Sequence, residues 1–107
     1  MRILEYLSPD GASPFSVWFN HLDAQAAAKI TVALMRMESG NVSNVKSVGL
    51  GVLEWRLDWG PGYRIYFGRE GNDWIILLAG GTKQRQQRDI ANASARWLEY
   101  KKRKKDA

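Results

Sequence analysis

An α+β fold, a small antiparallel β-sheet with two antiparallel helices before it and one helix after it, is predicted by three features of this 107-residue chain. Apolar side chains recur at helical spacing from Phe15 to Met37. They alternate at period two between Leu53 and Phe67, then run almost unbroken from Trp74 to Ala79. Helical spacing returns after Lys83. The length accommodates one domain and one core, residues 1–107. Five Trp, four Tyr and three Phe supply the apolar volume to fill it.

The first element is a weakly alternating edge strand, Arg2 to Leu7, closed by the turn Ser8-Pro9-Asp10-Gly11. Ser13-Pro14 then gives an N-cap with proline at the first helical position. Phe15, Trp18, Phe19 and Leu22 fall at i, i+3, i+4 and i+7, the buried stripe of a short helix. Asp23 caps a second helix with Ala26, Ala27, Ile30, Leu34 and Met37 inward, and Gly40-Asn41 stops it. Val42 to Val52 is rich in Ser, Asn and Gly without a period, and reads as a loop carrying Lys46.

Leu53, Trp55, Leu57 and Trp59 share one face of the next strand, while Glu54, Arg56 and Asp58 share the other. Gly60-Pro61-Gly62 reverses the chain into a strand in which Tyr63, Ile65 and Phe67 alternate with Arg64 and Tyr66. Gly68 to Asp73 is expected to be a hairpin loop, and Trp74 to Ala79 a central strand ended by Gly80-Gly81. The last helix spans about Gln84 to Lys102, with Ile90, Ala93, Ser94 and Trp97 inward, and residues 103–107 are expected to fray as a basic tail.

Composition narrows the chemistry. There is no cysteine, which removes disulfides and thiol catalysis, and the single histidine, His21, removes His-pair chemistry. No metal site and no cofactor is expected. Met1 to Gly11 lacks the pattern of a signal peptide and no apolar run reaches membrane-helix length, so a cytoplasmic chain with no membrane partner is expected. The net charge of +5 lies wholly in residues 53–107, which hold twelve basic and seven acidic side chains. Such asymmetry favours a polyanionic partner at the sheet and the last helix.

Isolated cations on an otherwise apolar sheet cost several kcal/mol unless a counter-charge meets them, and phosphate would do so. Arg56 and Arg64 on adjacent strands and Lys83 at the strand end form the candidate catalytic set. Arg presents a planar fork to phosphate oxygens, and Lys relays a proton when neighbouring cations depress its pKa. Cleaving RNA without metal needs a group to take the 2′-OH proton, charge to stabilise the phosphorane, and a donor for the leaving 5′-oxygen. Lys46, Tyr66, Arg85 and Arg88 are the candidate RNA-binding residues, Tyr66 by stacking on a base. The competing readings are structural: Arg56 paired with Glu54 or Asp58, Tyr66 in the core, and Lys83 solvated at a helix start.

LEWRLDWGPGYRIYFG followed by WIILLAGGTKQRQQRDIANASARWLEY resembles the HigB-like addiction-module killer proteins of the RelE/ParE toxin superfamily. PFSVWFNHLD and the Ala-rich helix extend the likeness from about Tyr6 to Lys101. The resemblance implies a toxin of a type II toxin–antitoxin system, a ribosome-dependent endoribonuclease that cuts translated mRNA and blocks translation. It implies as partners the ribosome, mRNA and a cognate antitoxin of helix-turn-helix type, with operator DNA reached only through that antitoxin. Arg64 matches the family's phosphate-contacting arginine, and Lys83 the position of a basic catalytic residue. Arg56 lies near a strand lysine proposed as general base. The family's C-terminal tyrosine or histidine has no clear counterpart among Gln86, Gln87, Arg88 and Asp89, so the general acid and base stay unassigned. The alternatives are a ParE-like inhibitor of DNA gyrase and a catalytically degenerate RNA-binding homologue.

Overall fold

A computed structural model describes residues 1–41 and 43–107. Val42, assigned above to a loop, lies outside the described residues. The elements are β1 (Arg2–Glu5), α1 (Pro14–Asn20), α2 (Ala24–Glu38), β2 (Val45–Gly49), β3 (Val52–Leu57), β4 (Tyr63–Glu70), β5 (Trp74–Thr82) and α3 (Gln86–Asp106). A single 3₁₀ turn, Lys83–Arg85, joins β5 to α3. The two N-terminal caps form as the sequence implies: the Ser13 side chain accepts from the Ser16 N–H and the Asp23 side chain from the Ala26 N–H.

The five strands lie in the order β1-β5-β4-β3-β2. Three of the four pairings are antiparallel, but β1 runs parallel to β5, so the expected antiparallel sheet is in fact mixed. Parallel pairing is reached because α1, α2 and three further strands separate β1 from β5, room for a crossover that a hairpin lacks. The helix arrangement also departs from a simple N-terminal helical pair, since α1 packs closely on β5.

A further correction is β2, which falls where a loop was expected. Leu50 and Gly51 both adopt positive φ, 56° and 81°, the two left-handed residues of a tight hairpin turn that folds Val45–Gly49 back on β3. β4 continues to Glu70, and β5 includes Gly80 and Gly81 instead of stopping before them. Those glycines serve close approach: a Cβ on Gly80 would sit 2.0 Å from the Trp18 ring, and one on Gly81 would sit 1.8 Å from Asp89 Oδ2. Any side chain there would push α1 or α3 off the sheet. The basic tail is helical to Asp106, with Arg103 held by Glu99 and Lys104 by Glu70.

Alternation along the strands divides the core in two. Trp55, Ile65, Phe67, Ile75 and Leu77 pack with Phe15 of α1 and with Ala26, Ile30, Ala33 and Met37 of α2. On the other face Val52, Tyr66, Ile76, Leu78 and Ala79 pack with Ala93 and Trp97 of α3 and with Tyr6. Trp97 seats over Gly68, where a Cβ would meet its ring at 2.6 Å. The second face carries the candidate site.

Candidate functional site

Register assembles the site from two adjacent rows that cross the sheet beneath the start of α3. In one row Lys46 pairs with Glu54, Glu54 with Tyr66, and Tyr66 with Ala79. In the next, Arg56 pairs with Arg64 and Arg64 with Gly81. Two arginines therefore stand directly opposite on neighbouring strands, an arrangement that costs energy unless each finds a counter-charge.

Arg56 finds one. Its Nε donates to Glu54 Oε1 at 2.7 Å, the pairing that the competing structural reading anticipated. Glu54 is wholly buried, and its other oxygen accepts from Gln86 Nε2 at 2.7 Å. Burial alone would raise the Glu54 carboxyl, but the donors from Arg56 and Gln86 outweigh it and hold the pKa below the ordinary value. Glu54 thus ties β3 to the first turn of α3 and fixes the Arg56 guanidinium.

Arg64 is treated differently. It is only 4% exposed, yet its protein contacts are one bond from Nη1 to the Tyr63 carbonyl at 3.1 Å and a long 3.9 Å approach to Asp58. Asp58 is almost fully solvated, so that approach neutralises little. Arg64 Nε is buried with no acceptor. The guanidinium lies beside Gly62, and the Lys83 side chain starts against the same glycine, whose carbonyl accepts from the Lys83 N–H at 2.8 Å. Lys83 is exposed, and Arg85 and Arg88 follow it on the exposed side of the 3₁₀ turn and the first turn of α3.

The remaining predicted residues divide. Lys46 is exposed on β2, across from Glu54. Tyr66 is fully buried under α3, so its ring offers no surface for a base to stack on, and that expectation is corrected. It was drawn from alternation, which places Tyr66 on the Arg64 face but does not show that α3 covers it. Burial, then the charge of Glu54, raises the Tyr66 phenol, and its hydroxyl lacks a well-formed hydrogen bond.

Asp89 is the participant that alternation and charge counting missed. Burial raises its carboxyl, with Arg85, Arg88 and Arg96 pulling it back, and its Oδ2 is buried without a donor. The signal available in the sequence was the pair Gly80-Gly81, which requires that something close in on β5. Among the described residues no group of three or more His, Asp and Glu side chains converges in a way that would hold a metal ion. No helix among them is long and apolar enough to cross a membrane.

The family model described as Phage derived protein Gp49-like (DUF891) matches residues 17–97, which run from within α1 to Trp97 and hold every candidate residue. The chain belongs to the Gp49-like family. A relative in Haemophilus influenzae (strain ATCC 51907 / DSM 11121 / KW20 / Rd), titled "Uncharacterized protein", is 40% identical over 80 residues, covering 74% of this chain and 81% of the relative. The Gp49-like match includes the GPG turn, the Gly-Gly pair and the start of α3, the three features that frame Arg64.

Proposed function

We propose that this Gp49-like protein is the toxin of a type II toxin–antitoxin pair, of the HigB-like kind, and that it cleaves translated mRNA on the ribosome in the cytoplasm without a metal. The observation that carries this reading is Arg64, a buried guanidinium whose Nε has no acceptor and whose nearest carboxylate is solvated and 3.9 Å away. A buried cation without a counter-charge is expensive, and a substrate phosphate arriving beside Gly62 and Lys83 would relieve that cost.

In this mechanism the 2′-OH gives its proton to solvent as its oxygen attacks the adjacent phosphorus, the bond to the 5′-oxygen breaks, that oxygen takes up a proton, and the products are a 2′,3′-cyclic phosphate and a 5′-hydroxyl. Arg64 stabilises the charge on the equatorial oxygens. Lys83, exposed beside Gly62, adds charge or relays the proton to the leaving oxygen. Arg56, held by Glu54, orients the 2′-OH as a fixed donor. Lys46, Arg85 and Arg88 track the phosphate backbone. The ribosome supplies orientation, which can contribute several kcal/mol to the barrier reduction, so free RNA should be a poor substrate.

The test is cleavage of a defined mRNA in a reconstituted translation system, with and without ribosomes, comparing the wild-type chain with Lys83→Ala and Arg64→Ala. Ribosome-dependent cuts that fall by 10²-fold or more in both variants support the reading. No cuts by the wild-type chain in either condition would remove it in favour of gyrase inhibition or a non-cleaving RNA-binding role.

A further inference from the structure

Near its end α3 carries five consecutive cations, Lys101 to Lys105, none of which the cleavage mechanism uses. The fold divides them. Arg103 is held by Glu99 and donates to the Leu7 carbonyl at 2.7 Å, and Lys104 reaches Glu70 at 3.2 Å. Lys101, Lys102 and Lys105 are exposed, and among the described residues no carboxylate lies within ion-pair distance of them. Lys101 and Lys105 stand at i and i+4, where like charges repel. The helix dipole favours cations in the last turn, which contains Lys105 but neither Lys101 nor Lys102.

Leu98, Lys101, Lys102 and Lys105 fall at i, i+3, i+4 and i+7, one face of α3 turned away from the sheet. Toward the helix start this face continues through the exposed Ala95 and Ala91 to Arg88, two heptads before Lys102. It therefore carries cations at both ends, about 20 Å apart at 1.5 Å per residue. No ring here is free for a base. Trp97 and Tyr100 stack on each other, with Lys101 over Trp97 at 5.4 Å and Lys104 over Tyr100 at 5.9 Å. Single strands are recognised by stacking on such rings, whereas duplex RNA is met through its phosphates and shape. Protein interfaces are depleted in lysine, and a membrane-surface helix needs several large apolar side chains. Leu98 is the single exposed large apolar side chain of α3.

We infer that the face formed by Lys101, Lys102 and Lys105 is an anchor for the phosphate backbone of duplex RNA on the ribosome, separate from the cleavage site. Ammonium groups on flexible stems suit phosphate oxygens and read no sequence. The inference rests on the proposed function and divides its labour. Arg64 and Lys83 act on the scissile phosphate, while the distal lysines set affinity for the ribosome and orient the chain on it. α3 joins the two contacts as one helix of 21 residues, so engagement of either end raises the effective concentration of the other.

The test is binding of the full chain to purified ribosomes across a salt series, for the wild type, Lys102→Gln/Lys105→Gln and Lys29→Gln/Arg36→Gln. The last variant removes the same charge from α2, on the other face of the sheet. Losing two phosphate contacts should reduce the slope of log K against log salt by about 1.8 and weaken binding about tenfold. The α2 variant should change neither. The same drop in slope is expected on a free RNA duplex of about 16 base pairs. In the cleavage assay the lysine variant should raise KM for ribosomes and keep kcat within about twofold, whereas Arg64→Ala lowers kcat. Wild-type affinity and slope in the lysine variant, or an equal loss in the α2 variant, overturns the anchor. A loss on ribosomes that is absent on duplex RNA assigns the face to an acidic ribosomal protein and overturns it as well. Lysine-dependent ribosome binding without any cut in mRNA keeps the anchor and removes the nuclease. Cuts with an unaltered KM in the lysine variant do the reverse.

Discussion

The two faces of the sheet are built from the same strands to opposite specifications. The face under α1 and α2 is an apolar core of aromatic and branched side chains, continuous from Phe15 through Trp55 to Leu77. The face under α3 buries Glu54, Arg64 and Tyr66, with Asp89 pressed against Gly81. Four buried side-chain polar atoms lack partners among the described residues; three of them, Arg64 Nε, Tyr66 Oη and Asp89 Oδ2, lie on this second face. Native interiors leave few such atoms unpaired. Their concentration beneath one helix start marks where stability has been given up. The first face is filled by apolar packing alone, and the second combines apolar packing with buried polar groups that the fold leaves partly unpaired.

The largest effect that would sharpen this contrast is loss of Trp55, 1% exposed at the centre of the apolar face. Trp55→Ala removes a large ring from close packing and should cost about 3–5 kcal/mol, read as a lowered urea midpoint at unchanged slope. A loss below about 1 kcal/mol would mean that the two faces do not differ as described. Next comes Glu54→Ala. It strips Gln86 and Arg56 of their acceptor at once and should cost on the order of 1–3 kcal/mol. Unlike Trp55→Ala, it should also loosen the first turn of α3 specifically, seen as faster amide exchange at 86–89 than in the wild-type chain.

The same two faces were unequally legible in the sequence. Period-two and helical spacing located the apolar core, because burial on that face follows from hydrophobic pattern alone. Caps at Ser13 and Asp23 were readable because their bonds are local. β2 was not, since Val45–Gly49 becomes a strand through pairing with β3, across a Leu50-Gly51 turn that lacks the usual Asn-Gly signal. Nor was the direction of β1, which depends on a partner 72 residues away in the chain. At the site, alternation placed Arg56, Arg64 and Tyr66 on one face correctly. It could not show that α3 seals Tyr66, engages Glu54 through Gln86 and leaves Arg64 short of acceptors, because each is a tertiary contact between distant segments.

Titration separates two carboxylates on the polar face. Asp89 has a folded pKa raised above 3.8, so the folded chain binds more protons than the unfolded one as pH climbs from 3.8 through the raised value, and stability falls across that window. Glu54 has a folded pKa below 4.5, so its contribution is present above 4.5 and is lost as pH falls through the folded value. Asp89→Asn should therefore flatten the decline on the higher side, and Glu54→Gln the rise on the lower side, in urea midpoints taken across the acid range. If Asp89→Asn leaves the pH profile unaltered, the carboxyl is solvated and the polar face is less closed than its geometry indicates.

The smallest expected effect tests the polar face most finely. Tyr66→Phe keeps the ring that α3 packs on and removes only a hydroxyl that is buried without a well-formed hydrogen bond. Deleting a satisfied buried hydroxyl costs about 0.5–1.5 kcal/mol, whereas deleting an unsatisfied one is neutral or stabilising. A change within about 0.5 kcal/mol, or a gain, is expected from the urea midpoint. Because the ring is sealed, cleavage should also stay within about twofold of wild type, well short of the roughly 1–3 kcal/mol attributed to a stacked base. A clear loss of stability would place a hydrogen bond between Tyr66 and Glu54, making the polar network tighter than three orphan atoms imply. A clear loss of cleavage with stability intact would require α3 to lift from the sheet during turnover, so that the sealed face opens when RNA binds.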